Sequence, residues 1–197
     1  MDKKLIMIAA PPACGKNYVS EMICNAVGQI TFLDKDDLAP LLYRAFDVCG
    51  EKLDLDGAFY GENLRDYEYE TLLKLAFSTL RFSDLVLVNA PFSREVRDEG
   101  YMRQLKARAE ALGAKLILIW VHTPTEVCYR RMKARNSIRD TDKLQHWEEY
   151  VRKINYNPPE ALVAAGAVDG LVVFENENDQ TAKESLRQVL EILGECV

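Results

Sequence analysis

Near the start of the chain, Ala9-Ala10-Pro11-Pro12-Ala13-Cys14-Gly15-Lys16-Asn17 sets a Gly-Lys pair at the close of a short proline-containing loop. A loop closing on Gly-Lys can bring backbone N–H groups and one ammonium onto phosphate oxygens if it joins a strand to a helix N-terminus. The expected phosphate contacts are Pro12, Ala13, Cys14, Gly15, Lys16, Asn17 and Tyr18, with the Lys16 ammonium reaching the outer phosphates. Set against G-x-x-x-x-G-K-[ST], two positions depart. Ala10 replaces the first glycine, which requires a negative φ there, and Asn17 replaces the hydroxyl that would hold Mg²⁺.

Three further groups could complete phosphate chemistry. Asp34, Asp36 and Asp37 follow an apolar run, and a carboxylate there can orient an acceptor hydroxyl and take its proton. Asp36 is the choice for that role, with Asp34 and Asp37 as alternatives, and Asp37 suits an N-cap best. Asn89 ends a second apolar run where an acidic metal partner is usual. Together, Asn17 and Asn89 make a weak Mg²⁺ shell of amide oxygens. Finally, Tyr129–Asp140 is the most basic stretch of an acidic chain, with Arg131 and Arg135 four apart on one helix face and Arg139 beyond them. Guanidinium groups there could clamp phosphates from a lid that excludes water.

Such groups must be held by a scaffold, and the apolar patterning supplies one. Leu5–Ala10, Leu85–Asn89, Lys115–Val121 and Leu171–Phe174 are continuous apolar runs, and Gln29–Leu33 is a shorter mixed one. Without polar alternation they read as strands covered on both faces, as in a parallel sheet. Helical patterns alternate with them over Lys16–Ala26, Asp37–Val48, Tyr60–Phe82, Gly100–Leu112 (closed by Gly113), Thr125–Ala134, Asp142–Ile154 and Thr181–Leu193. The fold class expected is α/β: a three-layer αβα arrangement around five mainly parallel strands, with residues 1–197 as one domain and a lid at about 131–143.

Bulk composition narrows the partners. A formal net charge of -6 argues against a nucleic-acid duplex as partner. No apolar stretch approaches the length of a membrane span. The five cysteines form no CxxC pair, so neither a disulfide framework nor a zinc site is expected, and reduced thiols in the cytoplasm are. Cys14 lies at a helix N-terminus, where a thiol pKa can fall, but a small-residue role is the simpler reading. His122 and His146 lack ligand spacing. Arg44, Arg65, Glu68, Arg94 and Arg97 fall where an acceptor pocket could form.

The ordered set PPACGKN, FLDKDDL, VLVNAPF, RRMKARN and RDTDKLQHWEEY resembles the small P-loop kinase-like ATP-binding proteins, described as AAA family ATPases and close to gluconate kinase, zeta toxin and polynucleotide kinase. The likeness runs from Leu5 to about Asn155. It implies ATP and Mg²⁺ as cofactors, Lys16 on the phosphates, Asp36 near the acceptor, and Arg131, Arg135 and Arg139 in a lid. It also implies transfer of the γ-phosphoryl group to a small-molecule hydroxyl. Two alternatives stand beside that: a module acting by ATP occupancy, which the paired asparagines suggest, and a kinase for nucleic-acid 5′ ends.

Overall fold

β1 (Lys3–Ala9) is buried at six of its seven positions, and its alternation divides the interior in two. Leu5, Met7 and Ala9 join one apolar cluster, while Ile6 and Ile8 join the other. That is the period of a strand covered on both faces, and each such side chain withdrawn from water contributes roughly 1.5–3 kcal/mol. The computed structural model describes residues 2–137 and 140–194.

The remaining strands are β2 (Thr31–Asp34), β3 (Leu85–Asn89), β4 (Ala114–His122) and β5 (Gly170–Glu175). They form one five-stranded sheet in the order β2-β3-β1-β4-β5. Every pairing is parallel, where a mainly parallel sheet was expected. Ile8 pairs with Asn89, Ala9 with Trp120 and Asp34 with Asn89, so these strand ends gather at one edge. In an open parallel sheet that edge is where ligands bind.

One face is covered by α1 (Lys16–Val27) and α10 (Asp179–Leu193), which bury Val19, Ile23, Val189 and Leu193. The other is covered by α4 (Arg65–Thr79) and α5 (Glu99–Glu110), through Leu72, Leu73, Ala76, Met102 and Leu105. The result is a three-layer αβα fold. Leu42 and Phe46 of α2 (Ala39–Cys49) and Tyr60 of α3 (Ala58–Asn63) make a smaller third cluster.

Several boundaries differ from the patterning. The expected helix over Tyr60–Phe82 divides at Leu64, which adopts φ -124° to end α3 and begin α4 while packing on the small cluster. The one over Asp142–Ile154 divides at His146 into α7 (Thr141–Gln145) and α8 (Trp147–Lys153). A 3₁₀ turn, Lys35–Leu38, precedes α2, and its cap is Asp34 rather than Asp37, whose side chain is exposed. Gly113 lies three residues beyond α5, in a left-handed turn with φ 71°. The remaining helices are α6 (Thr125–Arg135), which runs into the expected lid, and α9 (Ala161–Ala164), which precedes β5. Among the described residues, no helix is long and apolar enough to cross a membrane.

Candidate active site

The loop between β1 and α1 turns on two left-handed residues, Ala13 (φ 65°) and Gly15 (φ 84°). Ala10 is not among the residues of positive φ, so the alanine there is compatible with the turn. At Ala13 the Cβ makes the same conformation unfavourable by about 1–2 kcal/mol, a strain the surrounding contacts must hold. Gly15 has a second constraint. A Cβ there would lie 2.3 Å from Asn176 Nδ2 and 3.3 Å from an Arg131 guanidinium nitrogen.

Behind the loop, three side chains converge on the Cys14 carbonyl. Asn176 Nδ2 donates to it at 2.7 Å, Thr123 Oγ1 at 3.0 Å and Arg131 at 3.4 Å. Arg131 also donates to the Asn176 carbonyl at 2.8 Å. Thr123 and Asn176 are buried, just past the ends of β4 and β5. Neither was singled out from sequence. Their positions immediately after two apolar runs, at the ligand edge of a parallel sheet, were the available signal.

In front of the loop, Lys16, Asn17, Asn89 and Asp34 form a polar chain. The Lys16 ammonium donates to Asn89 Oδ1 at 2.6 Å and to Asn17 Oδ1 at 3.4 Å. Asn89 Nδ2 donates to Asn17 Oδ1 at 3.0 Å and to an Asp34 carboxylate oxygen at 2.7 Å. The other Asp34 oxygen accepts from the Asp36 backbone N–H at 2.9 Å. Asn89 is wholly buried, and every polar atom of its amide is engaged. Burial pushes the Lys16 ammonium down to about 8, against the opposing pull of Asp34 and Asp36 and with a small push from Lys35.

Asp36 stands apart from that chain. Its side chain is 67% exposed and its partner is Lys35 at 3.5 Å. Lys35 is also drawn to Glu68 at 3.0 Å, and Glu68 in turn accepts from the Tyr60 hydroxyl. Arg65 makes a two-pronged bond to Glu95 at 2.8 and 3.1 Å with both side chains buried. Arg97 lies over the Trp120 ring at 5.0 Å and donates to the Asn155 and Asn157 carbonyls. Arg94 is exposed, 3.8 Å from Asp66, and Arg44 pairs with Asp47 on the outer surface of α2.

The basic segment therefore divides. Arg131 turns onto the back of the phosphate loop, while Arg135 pairs with the buried Asp140 at 2.6 Å. Arg139 lies outside the described residues. The left-handed Asn136 (φ 48°) ends α6 between them.

These residues fit the phosphates of a nucleotide. The N-terminus of α1 carries neither a side-chain cap nor an acidic residue in its first turn, so its positive end is open to an anion beside Lys16. For Mg²⁺ the fit is sparse. Asn17 Oδ1 and Asp34 are the oxygens at hand, and among the described residues no group of three or more His, Cys, Asp or Glu side chains could hold a metal.

No curated protein matches the chain in sequence. Solved structures do share its fold. A provisionally assigned kinase from Chloroflexus aurantiacus aligns with TM-score 0.64 and 16% identity, over 98% of this chain and 97% of that one. A sugar kinase from Janibacter sp. HTCC2649 aligns with TM-score 0.57 and 13% identity, over 98% and 95%. A fungal RNA kinase aligns with TM-score 0.58 and 11% identity, over 98% and 86%. Residues 5–155 match the family described as the AAA domain. A phosphate loop on a five-stranded parallel sheet and a family match over most of its length place this chain in the AAA-domain family, as a small P-loop kinase-like protein.

Proposed function

We propose that the chain is an ATP-dependent phosphotransferase acting on a small-molecule hydroxyl. The observation that carries this reading is the placement of a desolvated Lys16 between the uncapped end of α1 and the Asn89–Asp34 pair. When bound, ATP supplies the phosphoryl group and Mg²⁺ offsets its charge. Lys16 and the backbone of Gly15 hold the phosphates, and Asn17 offers its amide oxygen to the metal. The Asp36 carboxylate, free of the strand-end network, takes the proton from the acceptor hydroxyl. Asp34 positions it by capping the turn on which Asp36 sits. Arg131 keeps the loop in shape from behind, and Arg135 serves a lid at about 131–143 by exchanging Asp140 for phosphate. Positioning and electrostatics suffice, since phosphoryl transfer needs little covalent help.

A small-molecule acceptor, rather than a nucleic-acid end, is supported by the net charge of -6. The test is release of ADP from ATP against panels of sugars, hydroxy acids and 5′-hydroxyl oligonucleotides. Release that depends on one small acceptor and is abolished in Asp36→Asn supports the reading; release only with oligonucleotides contradicts it.

A second reading follows from Asn89, whose amide fills the strand end where an acidic metal partner is usual and ties up Asp34. On that reading the chain signals by ATP occupancy. Tight, metal-independent ATP binding with no transfer to any acceptor would favour it.

A further inference from the structure

Cys14 and Cys128 approach each other to 3.7 Å, sulfur to sulfur, although they lie far apart in sequence. Both are buried, and both belong to the apolar cluster beneath α1. One sits in the phosphate loop and the other in the first turn of α6. Their surroundings are not those of two inert core thiols. The Arg131 guanidinium lies beside the Cys14 carbonyl, and Cys128 Sγ contacts the Thr123 carbonyl at 3.6 Å. Hydrogen bonding to Cys128, with burial, pushes the Cys14 thiol up. The same bond, helped by Arg131, draws Cys128 down. Trp147 and Tyr156, from the segment after the expected lid, pack against the same cluster.

We propose that Cys14 and Cys128 form a reversible disulfide that pins the phosphate loop to α6 and lowers affinity for ATP. The loss of affinity rests on the reading of this loop as the ATP site; the cross-link does not. With hydrogen peroxide as oxidant, the Cys128 thiolate attacks one oxygen, the O–O bond breaks, and the departing hydroxide becomes water with the proton Cys128 released. Cys128 is then a sulfenic acid. The Cys14 sulfur attacks the Cys128 sulfur, the S–O bond breaks, and the hydroxyl leaves as a second water with the Cys14 proton. Two thiols and one peroxide thus yield one disulfide and two waters.

Closing a 3.7 Å gap to the disulfide length of about 2.05 Å draws the phosphate loop and α6 together. The Cys14 carbonyl is already fastened by Asn176 from beyond β5, so a loop drawn toward α6 strains that bond. A displacement of that size in a phosphate cradle is expected to weaken ATP binding by about tenfold or more.

The test treats the full chain with peroxide, then measures intact mass, maps peptides, and titrates ATP before and after dithiothreitol. The expected result is loss of two hydrogens, a peptide joining Cys14 to Cys128, and an ATP affinity that falls and recovers on reduction. Cys128→Ala, which keeps the loop sequence, should bind ATP like the parent and lose the response. Oxidation at Cys24 or Cys49 without the joined peptide would overturn the proposal. So would a joined peptide with unchanged ATP affinity, or a Cys128→Ala variant as sensitive as the parent. A reduced parent that binds no ATP would overturn the kinase reading and, with it, the claimed loss of affinity, while the cross-link would be judged by mass alone.

Discussion

The Lys16 ammonium donates to the Asn89 amide oxygen across 2.6 Å, so the phosphate loop is tied to the end of β3 by a neutral partner. A carboxylate in that place would hold the lysine more strongly and offer a metal a charged oxygen. The amide does neither, and this asymmetry governs how the site should respond to magnesium, to pH and to substitution.

Asn89→Asp tests the amide directly. The carboxylate would add a charged oxygen next to Asn17, so Mg²⁺ should strengthen ATP binding about tenfold more in the variant than in the parent. Without metal the new carboxylate would face Asp34, to which Asn89 now donates at 2.7 Å. The loss of that donor and the like-charge contact should destabilise the apo protein by about 1–3 kcal/mol. Calorimetric titration and urea denaturation read the two effects separately.

The brace behind the loop makes a second prediction. Gly15→Ala places a Cβ 2.3 Å from Asn176 Nδ2 at a φ of 84°, so it should destabilise the fold by at least about 1–2 kcal/mol and weaken ATP binding. Asn176→Ala removes one of three donors to the Cys14 carbonyl, with an expected loss of about 1 kcal/mol because Thr123 and Arg131 remain. Combined, the two changes should cost less than their sum, since Asn176→Ala also clears the space the new methyl needs. Additive urea midpoints would argue against the brace.

The Lys16 pKa supplies the third. With the ammonium drawn down to about 8 by burial, it is charged below that pH and loses its proton above it. Bound triphosphate favours the charged form, so binding should take up a proton near pH 8, and affinity should fall roughly fivefold from pH 8 to 9. The apo protein shows the opposite slope. Unfolded lysine holds its proton up to about 10.5, so the unfolded state binds more protons between about 8 and 10.5 and this group's contribution to stability rises with pH there. Titrations in two buffers of different ionisation enthalpy measure the uptake.

The sheet was legible because β1, β3 and β4 are apolar on both faces, as strands of a covered parallel sheet are. β2 was less so. Its edge position leaves Phe32 exposed, and the strand begins two residues later than the pattern indicated. The helix break at Leu64 was hidden, since that residue fits an apolar helical stripe and departs from it only to pack on Leu42, Phe46 and Tyr60. At the site, Lys16, Asn17, Asp34 and Asn89 could be found from strand ends and the loop motif. Arg131 could be named but not placed, because helical spacing does not say that it faces the loop's back rather than a lid. Asn176 and Thr123 carry no motif. Their role exists only once β4 and β5 bring them to the Cys14 carbonyl.

Calorimetric titration of ATP, with and without Mg²⁺, into the parent and Lys16→Ala tests whether Lys16 holds the phosphates. Binding that Mg²⁺ strengthens is expected in the parent, with an affinity lower by at least about a hundredfold in the variant, as befits loss of the ammonium from a desolvated site. Equal affinity in the two proteins, or no binding to the parent, would contradict it.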